Sequence, residues 1–308
     1  MKQMTEQEHK AVAEFVSKID WNNPQDANKK ALATTIVEKV QEDVYNQQIV
    51  GFLADYKEFG PGEELQFKTR RGLVAYVVEP GAYAPRSAIT NTVTTLPRKL
   101  ITVATELELG QLRSGRYGDI ADIKSQALEQ ILMAQNKMLW DVAWRAVTSS
   151  TQNSNYATFA STATAATKKT ALDAAISYMA DITPGGARAI IGRFSALSFL
   201  ESSYLDTDYL SESGKEELMN RSGFMGKYKG VPVFRLESAK DGYGVQKITA
   251  AEILVIGNGV LKFGAERPGL EVFDMVKGTT NHTWELTLWY TCGAAAIETH
   301  KIYRLSVS

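Results

Sequence analysis

The chain has 308 residues, 44% of them hydrophobic, enough for about two domains with cores of their own, and its 34 Lys+Arg against 35 Asp+Glu exclude a polycation that condenses nucleic acid by bulk charge. The single cysteine, Cys292, excludes an internal disulfide framework and suits a reducing compartment. The polar start MKQMTEQEHKAVAEF is not a secretory signal and no run of about eighteen apolar residues is present to span a membrane, so a soluble intracellular protein is expected.

Residues 1 to about 50 predict two helices. Thr5 and Glu8 form a capping box ahead of Val12, Phe15, Val16 and Ile19. Pro24, within WNNPQD, breaks that helix, and a second presents Leu32, Ile36, Val40 and Val44 on one face. Stripes this narrow cannot enclose a core, so the segment reads as an arm that lies on something else.

Gly60-Pro61-Gly62 punctuates the chain, and the period then changes to two. Leu65, Phe67 and Thr69 alternate with charged neighbours, LVAYVV (73–78) is β-rich, and PGAYAPRSAITN (80–91) has loop composition. Ile101, Val103, Thr105, Leu107 and Leu109 then share one face of a returning strand. The pattern predicts a long hairpin whose arms, of about fifteen residues at ~3.3 Å each, reach ~50 Å. A two-stranded ribbon of that length exposes unpaired edges and is marginal alone, so a neighbouring subunit is expected to cover it.

The stretch from Gly118 to Ser149 has no proline and no glycine after its first residue. Asp119 stands where an N-cap belongs, and Leu128, Ile131, Leu132, Met138, Leu139, Val142 and Ala146 recur at spacings of three and four. About thirty residues at ~1.5 Å make a rod of ~45 Å. Residues 152–167 read as a Ser/Thr-rich linker or surface loop. An α/β region follows, with helices over 171–182 and 195–203 and strands over 187–192, 230–236, 252–258 and 260–264. The span 206–223 reads as loop. Trp284, Leu286, Leu288 and Tyr290 then alternate with polar partners in a closing sheet that runs to the end, which makes 170–276 an insertion.

No catalytic constellation accompanies these elements. His9, His282 and His300 lie far apart, and the chain has no H-E-x-x-H, C-x-x-C, G-x-S-x-G or Walker loop. Gly226-Lys227 lacks the rest of a phosphate loop, and Asp206, Asp208 and Glu212 lack the glycine of a calcium loop. No metal and no cofactor is expected, nor an enzyme. Lys68, Arg70 and Arg71 near the start of the hairpin and Arg98 and Lys99 near its return are expected to converge at its base, with Arg86 in the tip. They serve either as charges that keep a sheet edge from pairing or as contacts to acidic groups of an adjacent subunit.

This order of parts resembles the major capsid proteins of tailed bacteriophages, whose shell-building fold is shared with encapsulins. The pieces that carry the resemblance are TELELGQLRSGRYGDIADIKSQALEQ (105–130), MGKYKGVPVFRLE (225–237) and ILVIGNGVLKFGAERPGLEVF (253–273). It implies an α+β fold divided into an N-terminal arm (1–62), an extended hairpin loop (63–110), a peripheral domain with the spine helix (111–165 and 277–308) and an inserted axial domain (166–276). It implies a structural protein of the virion that assembles in the host cytoplasm, as hexamers and pentamers, into an icosahedral shell. The shell would enclose double-stranded DNA held without sequence specificity, with scaffolding, portal and cementing proteins as partners and no membrane. Encapsulin-like compartments are the alternative, and an unrelated α/β enzyme a more distant one. Two departures stand out. The arm starts almost at once, so scaffolding is expected to be absent, separate or already cleaved. The lysine-to-asparagine crosslink of some relatives also lacks its lysine, because Gly72 to Pro97 contains Arg86 as the only cation.

Overall fold

A computed structural model describes residues 49–71, 90–108, 118–147, 155–160, 162–200, 224–236, 252–266, 271–275 and 283–307, with Lys18, Ala27, Asn28 and Ala31 besides. The two arm helices, the hairpin tip with Arg86 and the loop 206–223 lie outside the described residues.

Two sheets and one long helix organise what is described. The first sheet has five strands: β1 (Asp55–Phe59), β4 (Lys99–Glu108), β10 (Leu261–Glu266), β11 (Glu271–Met275) and β12 (Thr283–Ala296). Its axis is β12, which pairs along Thr283–Cys292 with β4 on one edge. Its other edge is shared end to end, by β11 over Glu285–Trp289 and by β10 over Cys292–Ala296. β1 adds a parallel strand outside β10. The predicted alternation holds, since Leu288, Tyr290 and Cys292 are buried while Thr287, Trp289 and Thr291 are half-buried. Burial pushes the Cys292 thiol up to about 12 despite a smaller opposing effect of Lys99, so it stays neutral.

The second sheet runs β5-β13-β9-β6-β8-β7, with β5 (Tyr156–Phe159), β6 (Ala187–Gly192), β7 (Phe224–Tyr228), β8 (Val231–Arg235), β9 (Glu252–Gly257) and β13 (Ile302–Val307). Both of its faces are covered. Ile190, Ile253 and Val255 pack with Leu172, Ala175 and Met179 of α3 (Ala165–Ile182), whereas Ile191, Leu254 and Ile256 join the core around the other helices. Every residue of β9 is consequently buried, which is why ILVIG, after the paired Glu252, reads as an unbroken apolar run.

The long helix α2 (Gly118–Ala146, 29 residues) is the predicted rod, ending three residues early and beginning one residue ahead of Asp119. It packs on β12, β4 and β10 and reaches β13 of the other sheet. Contact with both sheets explains a buried arc wider than one stripe, for Gln135, Trp140 and Ala143 are buried alongside Ile131 and Leu139. Its C-terminal end is fastened by Arg304 of β13, whose Nη1 donates to the Val147 carbonyl at 2.9 Å and whose guanidinium lies 4.4 Å from the Trp144 ring. Glu252 of β9 accepts from Nη2 of the same side chain at 2.5 Å.

The structure corrects several expectations. Strand β2 (Gln66–Arg71) pairs with β3 (Thr90–Thr95) from Gln66↔Thr95 to Arg71↔Thr90, so the hairpin returns through TNTVTT and 101–109 is not its partner. The stretch read as the return strand is β4, which β12 recruits into the five-stranded sheet. Residues 152–167 are more than a linker, because Tyr156–Phe159 is an edge strand and α3 begins at Ala165, capped by Thr164. The helix expected over 195–203 is the short α4 (Phe194–Leu197). The closing residues divide, β12 going to one sheet and β13 to the other. Residues 49–59 do not belong to an arm: Val50, Leu53 and Ala54 are wholly buried and β1 is paired. Their apolar side chains, too few to make a core alone, fill one that distant residues build.

Candidate inter-subunit interface

The β2–β3 ribbon pairs with no other strand among the described residues. What fixes it is its root. Glycines 264 and 293 sit directly opposite each other across β10 and β12 and leave a notch with no side chain in it. A Cβ on Gly293 would stand 2.7 Å from the Pro97 carbonyl oxygen, and one on Gly264 would stand 2.8 Å from the Phe59 ring. Phe59, Leu65 and Leu96 fill this space as a small cluster of their own, with Phe67 and Ala295 against it. The Leu96 amide donates to the Leu65 carbonyl at 2.7 Å, closing the ribbon across its root. Phe59 and Phe67 meet edge to face at 6.1 Å.

A polar collar surrounds the plug. Glu63 accepts from the Gly60 amide at 3.0 Å and ties the turn that Gly60-Pro61-Gly62 makes. Glu266 accepts from the Gly62 amide at 2.7 Å. Arg98 donates to the Glu63 carbonyl at 2.7 Å and lies 3.8 Å from Glu266. Beyond the collar the ribbon is open: Lys68, Asn91, Thr92 and Val93 are exposed, and Val93 keeps half of its surface free although it is apolar. An open cleft beside the root is lined by Lys57 and Phe59 of β1, Glu63 and Glu64 of the turn, and Gln66, Phe67 and Lys68 of β2.

The predicted basic residues do not converge at one base. Arg98 is there, engaged by its own chain. Lys68 stands opposite Val93, two positions beyond the first rung Gln66↔Thr95, while Arg70 and Arg71 occupy the last described rungs opposite Asn91 and Thr90. Lys99 opens β4 opposite Cys292, in the five-stranded sheet one residue from Gly293 of the notch. The residues that hold the site together, Gly264, Gly293, Glu63 and Glu266, were not singled out from sequence. A glycine inside an otherwise regular strand, as in VLKFG and TCGAAA, is the signal that could have found two of them. Among the described residues no three His, Cys, Asp or Glu side chains are grouped to hold a metal. No described helix is long and apolar enough to cross a membrane.

No protein-family model and no curated protein sequence matches the chain. Solved structures do. The capsid of the Helicobacter pylori bacteriophage KHP30 superposes with a TM-score of 0.57 at 9% identity, over 85% of this chain and 89% of that one. The virus-like particle from Pyrococcus furiosus gives 0.52 at 12% identity, over 89% of this chain and 98% of that one. The mature capsid of bacteriophage PhiM1 gives 0.52 at 14% identity, over 85% and 87%. The fold is therefore α+β and that of the tailed-phage major capsid proteins, shared with the Pyrococcus particle. Two of these neighbours are phage capsids and the third is a virus-like particle.

Proposed function

We propose that the chain is a major capsid protein, many copies of which close as hexamers and pentamers into an icosahedral shell. The observation that carries this reading is a fold likeness running nearly end to end in both partners, with 85% or more of this chain and 87% or more of each capsid or particle chain aligned. The ribbon supports it. Its root is built to be rigid, while its outer rungs leave polar backbone and Val93 uncovered, which suits a surface that a second copy completes. On this reading 1–62, shortened to the residues before Ile49, is the arm and 63–110 the extended loop. Residues 111–165 with 277–308 are the peripheral domain, and 166–276 the axial domain. The strands cross those limits at β4, β5, β10, β11 and β13. Lys68, Arg70, Arg71, Arg86 and Lys99 contact acidic groups of an adjacent subunit, whereas Arg98 serves the root first.

The contents we propose are double-stranded DNA, in a virion assembled in the host cytoplasm with scaffolding, portal and cementing proteins. A net charge of −1 is compatible with DNA driven in by a motor and touched at few places. The likeness to the Pyrococcus furiosus particle favours a second reading, a protein-filled compartment. Size-exclusion chromatography and negative-stain microscopy of the purified chain test the common part, with closed shells or rings as the expected result. A 33.9 kDa monomer under every condition, with or without co-expressed virion proteins, would count against both. Nuclease-treated native particles that yield protein and no DNA would favour the second.

A further inference from the structure

Strand β6 has one irregularity. Its pairing with β9 sets Ala187 opposite Gly257 and Ala189 opposite Ile256, which leaves Arg188 as the extra residue of a β-bulge. Bulges re-aim the side chain that they carry. This one sends Arg188 to the short helix α1 (Val50–Leu53) and the start of β1. Nε donates to the Phe52 carbonyl at 2.6 Å, and Nη2 donates to the carbonyls of Gly51 and Ala54 at 2.9 and 3.0 Å. Nη1 donates to the Asp55 carboxylate at 2.6 Å, and Lys262 of β10 holds the second oxygen of that carboxylate.

A helix of four residues cannot sustain itself, and its last carbonyls have no intrahelical partners. Arg188 supplies them, with a positive charge at the end of the helix where it is favourable. Burial would raise the pKa of Asp55, but hydrogen bonds and charge from Lys262 and Arg188 outweigh it and hold the carboxyl below its ordinary 3.8. Ile49, Val50 and Leu53 also anchor this segment in the core. Apolar burial has no direction, however, whereas a planar guanidinium fork fixes an orientation.

We propose that Arg188 is a positioning residue for assembly: by clamping residues 51–55 to β6 it sets the direction in which the chain preceding Ile49 leaves the core. The consequence for assembly rests on the shell-forming reading, but the clamp itself does not. An error of angle at Ile49 grows along the segment before it, which on the shell-forming reading is laid on a neighbouring copy.

The test compares Arg188→Met and Arg188→Lys in the full chain. Hydrogen exchange is followed at the amides of Phe52, Leu53 and Ala54, which donate to the carbonyls of Ile49 and Val50. In unassembled protein the Met variant should exchange there about tenfold faster or more, the factor implied by losing a charge-assisted bond, with α3 and β9 unchanged. The Lys variant should fall between, because an ammonium cannot fork to four acceptors. Shells of the Met variant should be open or irregular where the unaltered chain closes. Unchanged exchange at 52–54, or regular closed shells from Arg188→Met, would overturn the proposal. Asp55→Asn, which keeps the carbonyl bonds, guards against a folding defect and should give a smaller local acceleration. Faster exchange throughout α3 and β9 in both variants would also overturn it, by showing that the contact only holds the core. Failure of the unaltered chain to form any shell would defeat the shell reading and the assembly role together, while the exchange result would still decide the clamp.

Discussion

Gly293→Ala probes the ribbon root most directly. The added Cβ would stand 2.7 Å from the Pro97 carbonyl oxygen and 3.1 Å from both Leu65 Cδ1 and Leu96 Cβ. Ordinary contact begins near 3.4 Å, so the backbone at Pro97 must retreat by about 0.7 Å. Overpacking of this kind costs about 1–3 kcal/mol. The reduced freedom of the unfolded chain offsets about 0.4–1 kcal/mol of that. A net loss of about 1–2 kcal/mol lowers the melting temperature by about 1.5–3 °C in a chain of this size, at about 2.1 cal/mol/K of unfolding entropy per residue. Gly264→Ala is the comparison: its Cβ would stand 2.8 Å from the Phe59 ring and 3.0 Å from Leu96 Cδ1, so side chains and not backbone must shift, and it should cost less. The displaced root also re-aims the ribbon, whose last described rung lies about 17 Å away at ~3.3 Å per residue. Differential scanning fluorimetry and microscopy of assembled particles measure the two effects. A Gly293→Ala protein as stable as the unaltered chain and no worse than Gly264→Ala would refute the plug-and-notch account.

Three further outcomes are expected. The pKa of Asp55 is depressed in the folded chain, so its contribution is fully present above the unfolded value and is lost as pH falls through the folded one. The melting-temperature difference between the unaltered chain and Asp55→Asn should thus be constant above about pH 5 and shrink below it, and a difference that widens in acid would contradict the assignment. Glu252→Ala should cost about 3 kcal/mol or more, since it strands the buried Arg304 guanidinium, while Glu252→Leu with Arg304→Met should recover most of the loss; chemical denaturation showing the double variant no better than the single one would argue against a buried pair. Finally, mature particles boiled in denaturant should run as one band near 33.9 kDa. The stretch from Gly72 to Pro97 carries no lysine, and a guanidinium is too poor a nucleophile to replace the amine of an isopeptide bond. A reductant-resistant ladder would show that Lys68 or Lys99 reaches an acceptor on a neighbour.

The elements legible in the sequence are those whose burial follows one period. Leu128, Ile131, Leu132 and Leu139 announce α2 because a long helix repeats its buried face many times. Leu288 and Tyr290 do the same for β12 at period two. The run ILVIG is legible for the opposite reason, since a strand buried on both faces has no alternation to hide. Among the candidate contacts, Lys68 was legible as an exposed charge on a strand, and the structure leaves it exposed.

Partnership between distant strands is a different kind of information. Period two says that Ile101 and Val103 lie in a strand, but not that the strand lies beside Leu288 and Tyr290 instead of Phe67. TNTVTT does not stand out in the sequence because its threonines follow loop composition, yet β-branched residues suit a ribbon with one face open. The same limit hid the features on which the seating of the ribbon depends. Gly264 and Gly293 matter only because they face each other and because Phe59, Leu65, Leu96 and Pro97 arrive there from two separate segments. Arg188 sits in an ordinary strand sequence, ARAIIG, and acquires its role from a bulge that exists only once β9 is alongside. Each of these devices gathers apolar or charged groups from segments that have no local reason to meet. They govern how the ribbon is seated and how the chain leaves the core, and variation at them should therefore alter assembly before it alters the fold.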